Sequence, residues 1–220
     1  MFYLKIAIMD AIECILTRRC VRKFKNIPVE WDKIGKILEA GRAAPSAGNL
    51  QDWKFIVITD ETIKKNIADS AFNQYWMMDA PIIIVIVSEP YKNERFYGLR
   101  GEKLYSVQDA AAAAQNMLIA AHALGLGACW IGAFDESKVK DILKMIPEAR
   151  PQIILPIGYA AEIPPVPVKY KIENIAYFNK WHGRMKDINF TLGYTSAKVM
   201  GAIDKGKKIL DKINQKIRKE

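Results

Sequence analysis

The chain has few of the residues that build disulfide frameworks and metal centres. Of its 220 residues, three are cysteine and two are histidine. Cys14, Cys20 and Cys129 are odd in number and no two have CxxC spacing, which argues against a disulfide framework and against a structural zinc site. His122 and His182 lie sixty residues apart, so a histidine-rich metal centre is not expected either.

A long hydrophobic run is also missing. The longest strongly apolar stretch covers residues 81–87, far short of the ~20 residues that span a bilayer. The N-terminal segment contains Lys5 and Asp10 and has no small-residue cleavage site, so it does not resemble a signal peptide. We therefore expect a soluble, cytoplasmic protein without stable membrane association.

Positive charge is concentrated at the C-terminus. The net charge is +9, and residues 195–220 hold eight Lys/Arg against three acidic residues, which is +5 of that total. The remaining +4 is a mild excess and argues against nucleic-acid binding. We expect a domain of residues 1–186, extended by a basic amphipathic helix at 187–220 that packs on its own fold or a partner subunit, with contact to an anionic membrane as the alternative. Its apolar face lacks Trp and Phe and consists of Val199, Ile203, Leu210, Ile213 and Ile217.

Apolar periodicity predicts helices that alternate with strands, and this indicates an α/β or α+β fold. By itself the alternation favours a parallel sheet. The continuous apolar run at 81–87 predicts a strand buried on both faces. The helix at 107–124 has eight alanines and is either a core helix or one shared with a second subunit. Helices are predicted at 10–18, from Pro28 to the turn-rich segment at 44, at 107–124 and at 135–146, and strands at 53–58, 81–87, 128–131 and 153–159.

Familiar catalytic signatures are missing. The segment Gly125-Leu-Gly127 follows a helix and has Trp130 where a dinucleotide fingerprint needs glycine, and the chain has no P-loop. No serine or cysteine stands in a nucleophile elbow, and the turn-rich segments show no paired carboxylates. We therefore expect no catalytic residue and no metal; if the chain is an enzyme, a cofactor carries the chemistry.

Two segments stand out as ligand-binding candidates. The first, RRCVRKF at 18–24, places four cations within six residues and is either a solvated basic turn or a phosphate clamp. The second, APSAGNLQDW at 44–53, is either a plain loop or a surface where small residues admit a flat ligand. In it, Ser46, Asn49 and Gln51 offer donors and acceptors.

Together with three further segments, these resemble the motifs of the nitroreductase family of flavin enzymes, from about Ile12 to Arg184. The resemblance implies an α+β fold with a mainly antiparallel sheet between helices. It also implies an intertwined homodimer with two FMN at the interface, which includes the alanine-rich helix. The five segments are RRCVRKF (18–24), PSAGNLQDW (45–53), DAP (79–81), GLGACWIGAFD (125–135) and PIGY (156–159).

The resemblance also implies roles for individual residues. Arg18, Arg19 and Cys20 would hold the FMN phosphate and ribityl chain, and Arg22 would lie near N1 and O2 of the ring. The other subunit would contribute Pro45, Ser46, Ala47 and Asn49, with Gln51 a further polar group of that loop. The remaining cofactor-binding candidates are Asn73 at the pyrimidine edge, Gly132 and Ala133 with backbone N–H groups toward N5 and O4, Gly158 in the late strand motif, and Lys169, Lys171 and Arg184 near the phosphate.

The chain departs from the family pattern at two positions. Cys20 replaces the usual serine of the first motif, and Trp76 stands where some members have a flavin-facing lysine. A thiol is a weak donor, but the backbone N–H at position 20 still reaches phosphate, so we expect FMN binding to survive. The tryptophan leaves Arg22 as the main cation near N1.

The implied reaction is transfer of hydride from NADH or NADPH to FMN, followed by electron transfer to a small-molecule acceptor such as a nitroaromatic or a quinone. A fixed Arg22 would stabilise negative charge on the ring. The segment 88–105 is predicted as a loop and substrate lid, with Phe96, Tyr97 and Arg100 as contacts. The alternatives are reductive dehalogenation or flavin fragmentation on the same fold, or a non-enzymatic basic binding module.

Overall fold

A four-stranded antiparallel sheet forms the centre of the fold. Its strands are β1 (Trp53–Ile58), β2 (Ile82–Ser88), β3 (Gly127–Ala128) and β4 (Arg150–Gly158), arranged in the order β1-β2-β4-β3. All neighbouring strands are antiparallel. The α+β fold is therefore confirmed. The parallel sheet favoured by the alternation alone is wrong, because each strand re-enters the sheet in the reverse direction to its neighbour.

The helices are short except for one. The computed structural model describes residues 10–184. Three single turns accompany the helices: 3-10 turns at Ala47–Asn49 and Tyr75–Asp79 and a π-helical turn at Gly101–Tyr105. The helices in the first part of the chain are α1 (Ala11–Thr17), α2 (Trp31–Arg42), α3 (Glu61–Ser70), α4 (Pro90–Arg100), α5 (Ser106–Ala123) and α6 (Glu136–Ile142).

Helices cover both faces of the sheet. Side chains alternate along a strand, so Ile84 joins the core beneath α2 and α5 while Val85 joins the core against α3 and α6. All seven residues of β2 are buried, which confirms the expectation of a strand enclosed on both sides. At about 25 cal/mol per Å² of apolar surface, the isoleucines of β2 stabilise the fold more than any surface pair does.

Small residues bring α5 close to its neighbours. A Cβ at Gly41 of α2 would lie 3.1 Å from the Phe55 ring and closer still to the Met117 side chain. The Asn116 amide donates to the Ala40 carbonyl oxygen at 3.1 Å, which ties α5 to α2. On the α1 side, the Cys14 thiol donates to the Ile119 carbonyl oxygen at 3.3 Å. The helix predicted at 107–124 is confirmed and lies against the sheet.

The segment 88–105 is not a loop, and this prediction is wrong. It forms α4 and the π-helical turn that leads into α5. Pro90 suits the first turn of a helix, and the buried Asn93 amide donates to Asp109 at 3.1 Å. A tertiary contact therefore holds a helix whose own sequence, with Gly98 at φ +56°, shows little helical pattern.

Two further elements end earlier than predicted, while α2 begins three residues later and β4 three residues earlier than predicted. The helix expected at 135–146 ends at Ile142, and Lys144 adopts a positive φ of 51° that stops it. The strand expected at 128–131 is confined to β3, while Ile131 forms an isolated bridge with Ile154. Helix α3 was not predicted.

The chain divides into two units, residues 1–166 and 167–220. Within the described part of the second unit, α7 (Ile172–Ile175) is followed by a cluster of the Tyr177, Trp181 and His182 rings, with centroids 5.1–5.2 Å apart. The helix predicted at 187–220 and the domain boundary at 186 lie outside the described residues. No helix within 10–184 is long and apolar enough to cross a membrane.

Candidate functional site

The Arg18-Arg19-Cys20 turn begins where α1 ends. Arg18 has extended backbone angles (φ −54°, ψ 137°), which stop the helix at Thr17. The Nη1 of Arg19 donates to the carbonyl oxygens of Leu16, Thr17 and Arg18 at 3.0, 2.9 and 2.9 Å. These are carbonyls that a helix C-terminus leaves without intrahelical partners. One nitrogen of Arg19 thus holds the turn in place and leaves the rest of the guanidinium to other ligands.

Cys20 lies beside β3. It forms a parallel bridge with Ala128, and the Val21 N–H donates to the Ala128 carbonyl oxygen at 3.1 Å. A hydrogen bond from the Cys129 thiol lowers the pKa of Cys20 to about 5, with smaller help from Arg18, whose Nη1 lies 3.8 Å from the Cys20 sulfur. The same hydrogen bond raises the pKa of Cys129. The lowered pKa favours the thiolate form of Cys20, whose sulfur lies beside the Arg18 guanidinium.

In the part of the chain that the structure describes, the arginines of this turn have no carboxylate partners. Among residues 10–184, no carboxylate lies within 4.0 Å of the charged nitrogens of Arg18, Arg19 or Arg22. Elsewhere an exposed cation pairs with an acid one helical turn away, as Lys36 does with Asp32 at 3.1 Å. Three guanidinium groups without such pairs form a surface that favours an anion.

Arg22 and Trp76 form a second part of the site. The Arg22 guanidinium lies 5.8 Å from the centroid of the Trp76 ring, in a cation–π pair. Trp76 belongs to the 3-10 turn before β2 and packs with Val21, Phe24 and Ala80. The backbone N–H of Arg22 donates to Glu162 Oε1 at 3.2 Å. Trp76, which replaces the lysine of some family members, therefore holds Arg22, the cation that the resemblance places beside the flavin ring.

A glutamine joins the segments around Asn73 and Ala133. The Gln74 amide donates to the carbonyl oxygens of Ala71 at 3.0 Å and Ala133 at 3.3 Å. Asn73 has a positive φ of 61° and accepts a hydrogen bond from the Tyr75 hydroxyl at 3.1 Å. The structure thus brings the predicted Asn73 close to the exposed pair Gly132 and Ala133.

The Pro45–Gln51 loop makes its contacts with α4 and α5. The Ala47 N–H donates to Asp109 Oδ1 at 2.9 Å, and the Ser46 hydroxyl accepts from the Gln51 N–H at 3.0 Å. Gly48 has φ +55°, and a Cβ there would overlap the Tyr97 hydroxyl. Asn49 and Gln51 also have positive φ, of 58° and 49°. The loop is a tight, exposed turn that presents small side chains.

The predicted substrate residues lie on α4. Phe96 is 63% exposed. Tyr97 meets Tyr105 edge-on, with ring centroids 5.2 Å apart, and Arg100 Nε donates to the Tyr105 hydroxyl at 3.1 Å. Tyr97 therefore lies against the Pro45–Gln51 loop through Gly48, so the structure joins the substrate and loop predictions in one region.

Gly158 has a packing role, and the other three predicted residues belong to the second unit. Gly158 is buried in β4, where a Cβ would lie 3.1 Å from the Phe24 ring and would overlap Pro81, so close packing accounts for this glycine. Lys169, Lys171 and Arg184 are exposed residues of the second unit, and Lys171 Nζ lies 3.8 Å from Glu173. Their assignment to a phosphate remains a prediction.

Comparison with known proteins identifies the family. The family model named "Nitroreductase family" matches residues 15–75 and 68–159. A NADH dehydrogenase/NAD(P)H nitroreductase of Methanothermobacter thermautotrophicus is 37% identical over 164 residues, which cover 73% of this chain and 82% of that protein. The chain belongs to the nitroreductase family. The expectation of an oxidoreductase enzyme is thereby confirmed.

Solved structures of related proteins agree with this family assignment. A NADH dehydrogenase/NAD(P)H nitroreductase from Parabacteroides distasonis is 30% identical, with a TM-score of 0.70 over 78% of this chain and 98% of that one. An FMN-dependent nitroreductase from Clostridium difficile is 28% identical, with a TM-score of 0.67 over 77% and 99% of the two chains. The match covers nearly the whole of each of these two chains. This nitroreductase therefore contains the complete fold of these relatives.

Sequence reasoning missed several residues of the candidate site. Cys129 lies inside the fourth motif segment and Gln74 outside all five. Neither gave a signal of its own, because their roles arise from contacts between distant segments. Asp109 did give one: it is an acid in an otherwise almost uncharged alanine-rich helix. A buried charge at such a place indicates a specific partner, which is the Ala47 N–H.

Proposed function

We propose that this nitroreductase is an FMN-dependent oxidoreductase that uses NADH or NADPH to reduce a nitroaromatic, quinone or similar small-molecule acceptor. Bound FMN would supply the chemistry, accepting hydride and passing electrons on, and the residues named below would hold it. The names of the relatives support the class: one is an NAD(P)H nitroreductase and another an FMN-dependent nitroreductase. What the chain's own residues contribute is binding, orientation and charge.

The observation that carries the proposal is the set of arginines at the end of α1 that have no carboxylate partner among the described residues. A phosphate monoester needs charge-assisted donors, and guanidinium groups supply them in a fork that matches phosphate oxygens. Arg18 and Arg19 lie on a turn that Arg19 itself braces by three hydrogen bonds. The donor set fits the FMN phosphate, with Arg18, Arg19 and the backbone N–H of Cys20 as its ligands.

The thiolate of Cys20 bears on this fit. Its negative charge opposes a phosphate, and the Arg18 guanidinium at 3.8 Å offsets it. In this proposal the Cys20 side chain is turned to Cys129, and its backbone N–H serves the phosphate. The departure from serine therefore costs one side-chain donor and leaves the backbone donor in place.

Arg22 supplies a positive charge to the flavin ring. The pairing with Trp76 limits where the guanidinium can lie, and a fixed charge needs no reorganisation during reaction. Gly132 and Ala133 add exposed backbone donors, and their small side chains admit a flat ring. We assign no protein acid or base, because electrostatic stabilisation and orientation suffice for this chemistry.

We propose a homodimer with two FMN at its interface. The exposed side chains of α1 support it: Ile12, Ile15 and Leu16 are 56%, 48% and 43% exposed and form an apolar face. Such a face marks an interaction surface. It adjoins α5, so the alanine-rich helix would continue the interface. The partner's Pro45–Gln51 loop would then complete each flavin site.

Helix α4 is the proposed acceptor contact. Phe96 presents an exposed ring, and Tyr97 and Arg100 form a continuous aromatic and cationic surface with Tyr105. Flat, electron-poor aromatics stack on such rings. This supports nitroaromatic and quinone acceptors.

Steady-state assays test the proposal. The FMN-loaded protein is assayed with NADH and with NADPH against a nitroaromatic, a benzoquinone and a halogenated phenol. We expect turnover of the first two acceptors and little of the third. Faster release of halide from the phenol would instead establish the dehalogenating alternative, and loss of FMN absorbance with oxygen would establish flavin fragmentation.

A further inference from the structure

Among residues 10–184, the side-chain oxygens of Asp52 accept no hydrogen bond. It stands between the Pro45–Gln51 loop and β1 and is fully buried. Neither of its oxygens meets a donor in the described structure, and the Oδ1 of Asn93, also fully buried, has none either. Buried polar atoms without partners are rare in folded proteins and call for an explanation.

The neighbouring Asp109 connects three elements. Its Oδ1 accepts from the Ala47 N–H of the loop at 2.9 Å, and its Oδ2 accepts from the Asn93 amide of α4 at 3.1 Å. Asp109 itself belongs to α5 and is 5% exposed. A chain of two hydrogen bonds therefore runs from the loop to the helix that carries Phe96 and Tyr97.

The cluster has more acceptors than donors. Asp52 and Asp109 contribute two oxygens each and Asn93 one. The Ala47 N–H and one Asn93 N–H serve Asp109. A proton on Asp52 turns it from an acceptor into a donor, and the Asn93 Oδ1 without a partner is an acceptor in the same cluster. Protonation thus reduces the excess of acceptors.

The charges around Asp52 support a retained proton. Burial first, and then the negative charge of Asp109, raise the pKa of Asp52 to about 7, against smaller opposing effects of Asn93 and Lys92. Lys92 is itself engaged by Glu89, which also binds Lys54 at 3.0 Å. The Glu89 N–H donates to the backbone oxygen of Asp52 at 2.8 Å. Nearby cations therefore do little to neutralise Asp52.

We propose that Asp52, Asn93 and Asp109 form a proton-dependent latch that positions the Pro45–Gln51 loop against α4. With the proton in place, the cluster holds one negative charge, on Asp109, and that charge is satisfied by two donors. Without it, two buried carboxylates share one site and repel. Asp52 is a positioning residue: it acts on the site through Asp109 and Ala47. The inference rests on the proposed function, because it assumes that loop and α4 border the flavin.

The direction of the pH effect follows from linkage. Asp52 keeps its proton to a higher pH with the latch closed than with it open. The closed state therefore loses stability as pH rises from about 4 through about 7, where Asp52 is half ionised, and changes no further once Asp52 is ionised in both states. Replacement Asp52→Asn keeps the shape and a donor but removes the titration.

Amide hydrogen exchange of residues 45–51 tests the latch in the full chain. From about pH 5 to about pH 7 we expect wild-type protection, corrected for intrinsic exchange, to fall by up to about tenfold per pH unit and then level off. D52N should give a flat profile with greater protection at pH 7 and above. D109N should shift the fall to lower pH, because the repelling charge is gone. The matched control is D141N, an exposed acid of α6, which should keep the wild-type profile.

The outcomes separate the two claims. Equal profiles for wild type and D52N would overturn the latch. In the loaded enzyme, kcat/KM for a quinone acceptor should follow the same pH profile in wild type and lose it in D52N; a profile unchanged by D52N would overturn the positioning role. Failure to bind FMN would contradict the proposed function alone, since the exchange measurement needs no cofactor.

Discussion

The guanidinium of Arg22 lies 5.8 Å from the centre of the Trp76 ring, so the two residues form one unit at the edge of the candidate flavin site. Arg22 is exposed, and Trp76 is partly buried against Val21, Phe24 and Ala80. The aromatic side chain is therefore anchored and the cation rests on it. Position 76 supplies no charge of its own but restricts where the charge of Arg22 can lie.

Replacing these two residues should have unequal effects. Arg22→Gln removes a charge-assisted contact and should weaken FMN binding by about tenfold or more. Trp76→Leu removes only the cation–π support and should weaken it by a factor of about 2–5. The measurement is fluorescence quenching of FMN on titration with each variant. Arg42→Gln, an exposed arginine paired with Glu39 on α2, should leave affinity unchanged; a larger loss for Trp76→Leu than for Arg22→Gln would contradict the assignment.

Cys20 should react as a thiolate at neutral pH. Because the Cys129 thiol and then Arg18 hold its pKa near 5, alkylation by iodoacetamide should be nearly independent of pH from about 6.5 to about 9. Cys14 and Cys129 are each 1% exposed and should stay unmodified.

Two variations sharpen the cysteine experiment. Cys129→Ala removes the thiol donor, so the alkylation rate should become pH-dependent and be half-maximal near the usual thiol pKa of about 8.5. Bound FMN should slow alkylation of the wild type. A wild-type rate that climbs tenfold per unit up to about pH 8 would show an ordinary thiol.

The apolar face of α1 should be needed for the dimer. Ile15→Lys places a charge in the proposed interface and should raise the dimer dissociation constant by at least about tenfold, because desolvating an unpaired charge is unfavourable. Sedimentation velocity over a concentration series measures this. Ile146→Lys, at an exposed position after α6, is the control. FMN should be lost in parallel with dimer dissociation, and a monomer that retains FMN fully would contradict a shared site.

Phe96 should contribute to acceptor binding without affecting the flavin. Phe96→Ala removes an exposed ring, and kcat/KM for a nitroaromatic should fall by about 5–10-fold, the effect of losing one aromatic stack. FMN affinity should stay within a factor of two of wild type. Leu99→Ala, 69% exposed on the same helix, should change neither quantity. Equal losses for the two variants would mean that the effect reports α4 stability instead.

Sequence patterns predicted the parts of the fold whose burial is uniform. The run at 81–87 is continuous in apolar residues, so its burial on both faces could be read directly. Helix α3 was not predicted because Lys64 interrupts its apolar pattern. In the structure Lys64 is 2% exposed, and its ammonium donates to the carbonyl oxygens of Met78 and Ala80 at 3.2 and 3.0 Å. Those acceptors come from a distant turn that no local pattern reveals.

The candidate site likewise has residues that the sequence predicted and residues that it did not. The arginines of the first motif could be named because four cations in six residues are unusual, and the resemblance gave them a role. Asp52 could not, since nothing in the local sequence shows that a residue beside Trp53 is buried with Asp109 and Asn93. The direction of the strands likewise came from the resemblance and not from the alternation of elements.

The most direct test of the account is the visible absorption spectrum of the purified protein, recorded without oxygen before and after addition of NADH and then NADPH. The account predicts flavin bands that bleach with at least one nicotinamide and return when a quinone is added. A protein that stays colourless after incubation with FMN, or whose flavin bands neither nicotinamide bleaches, would contradict it.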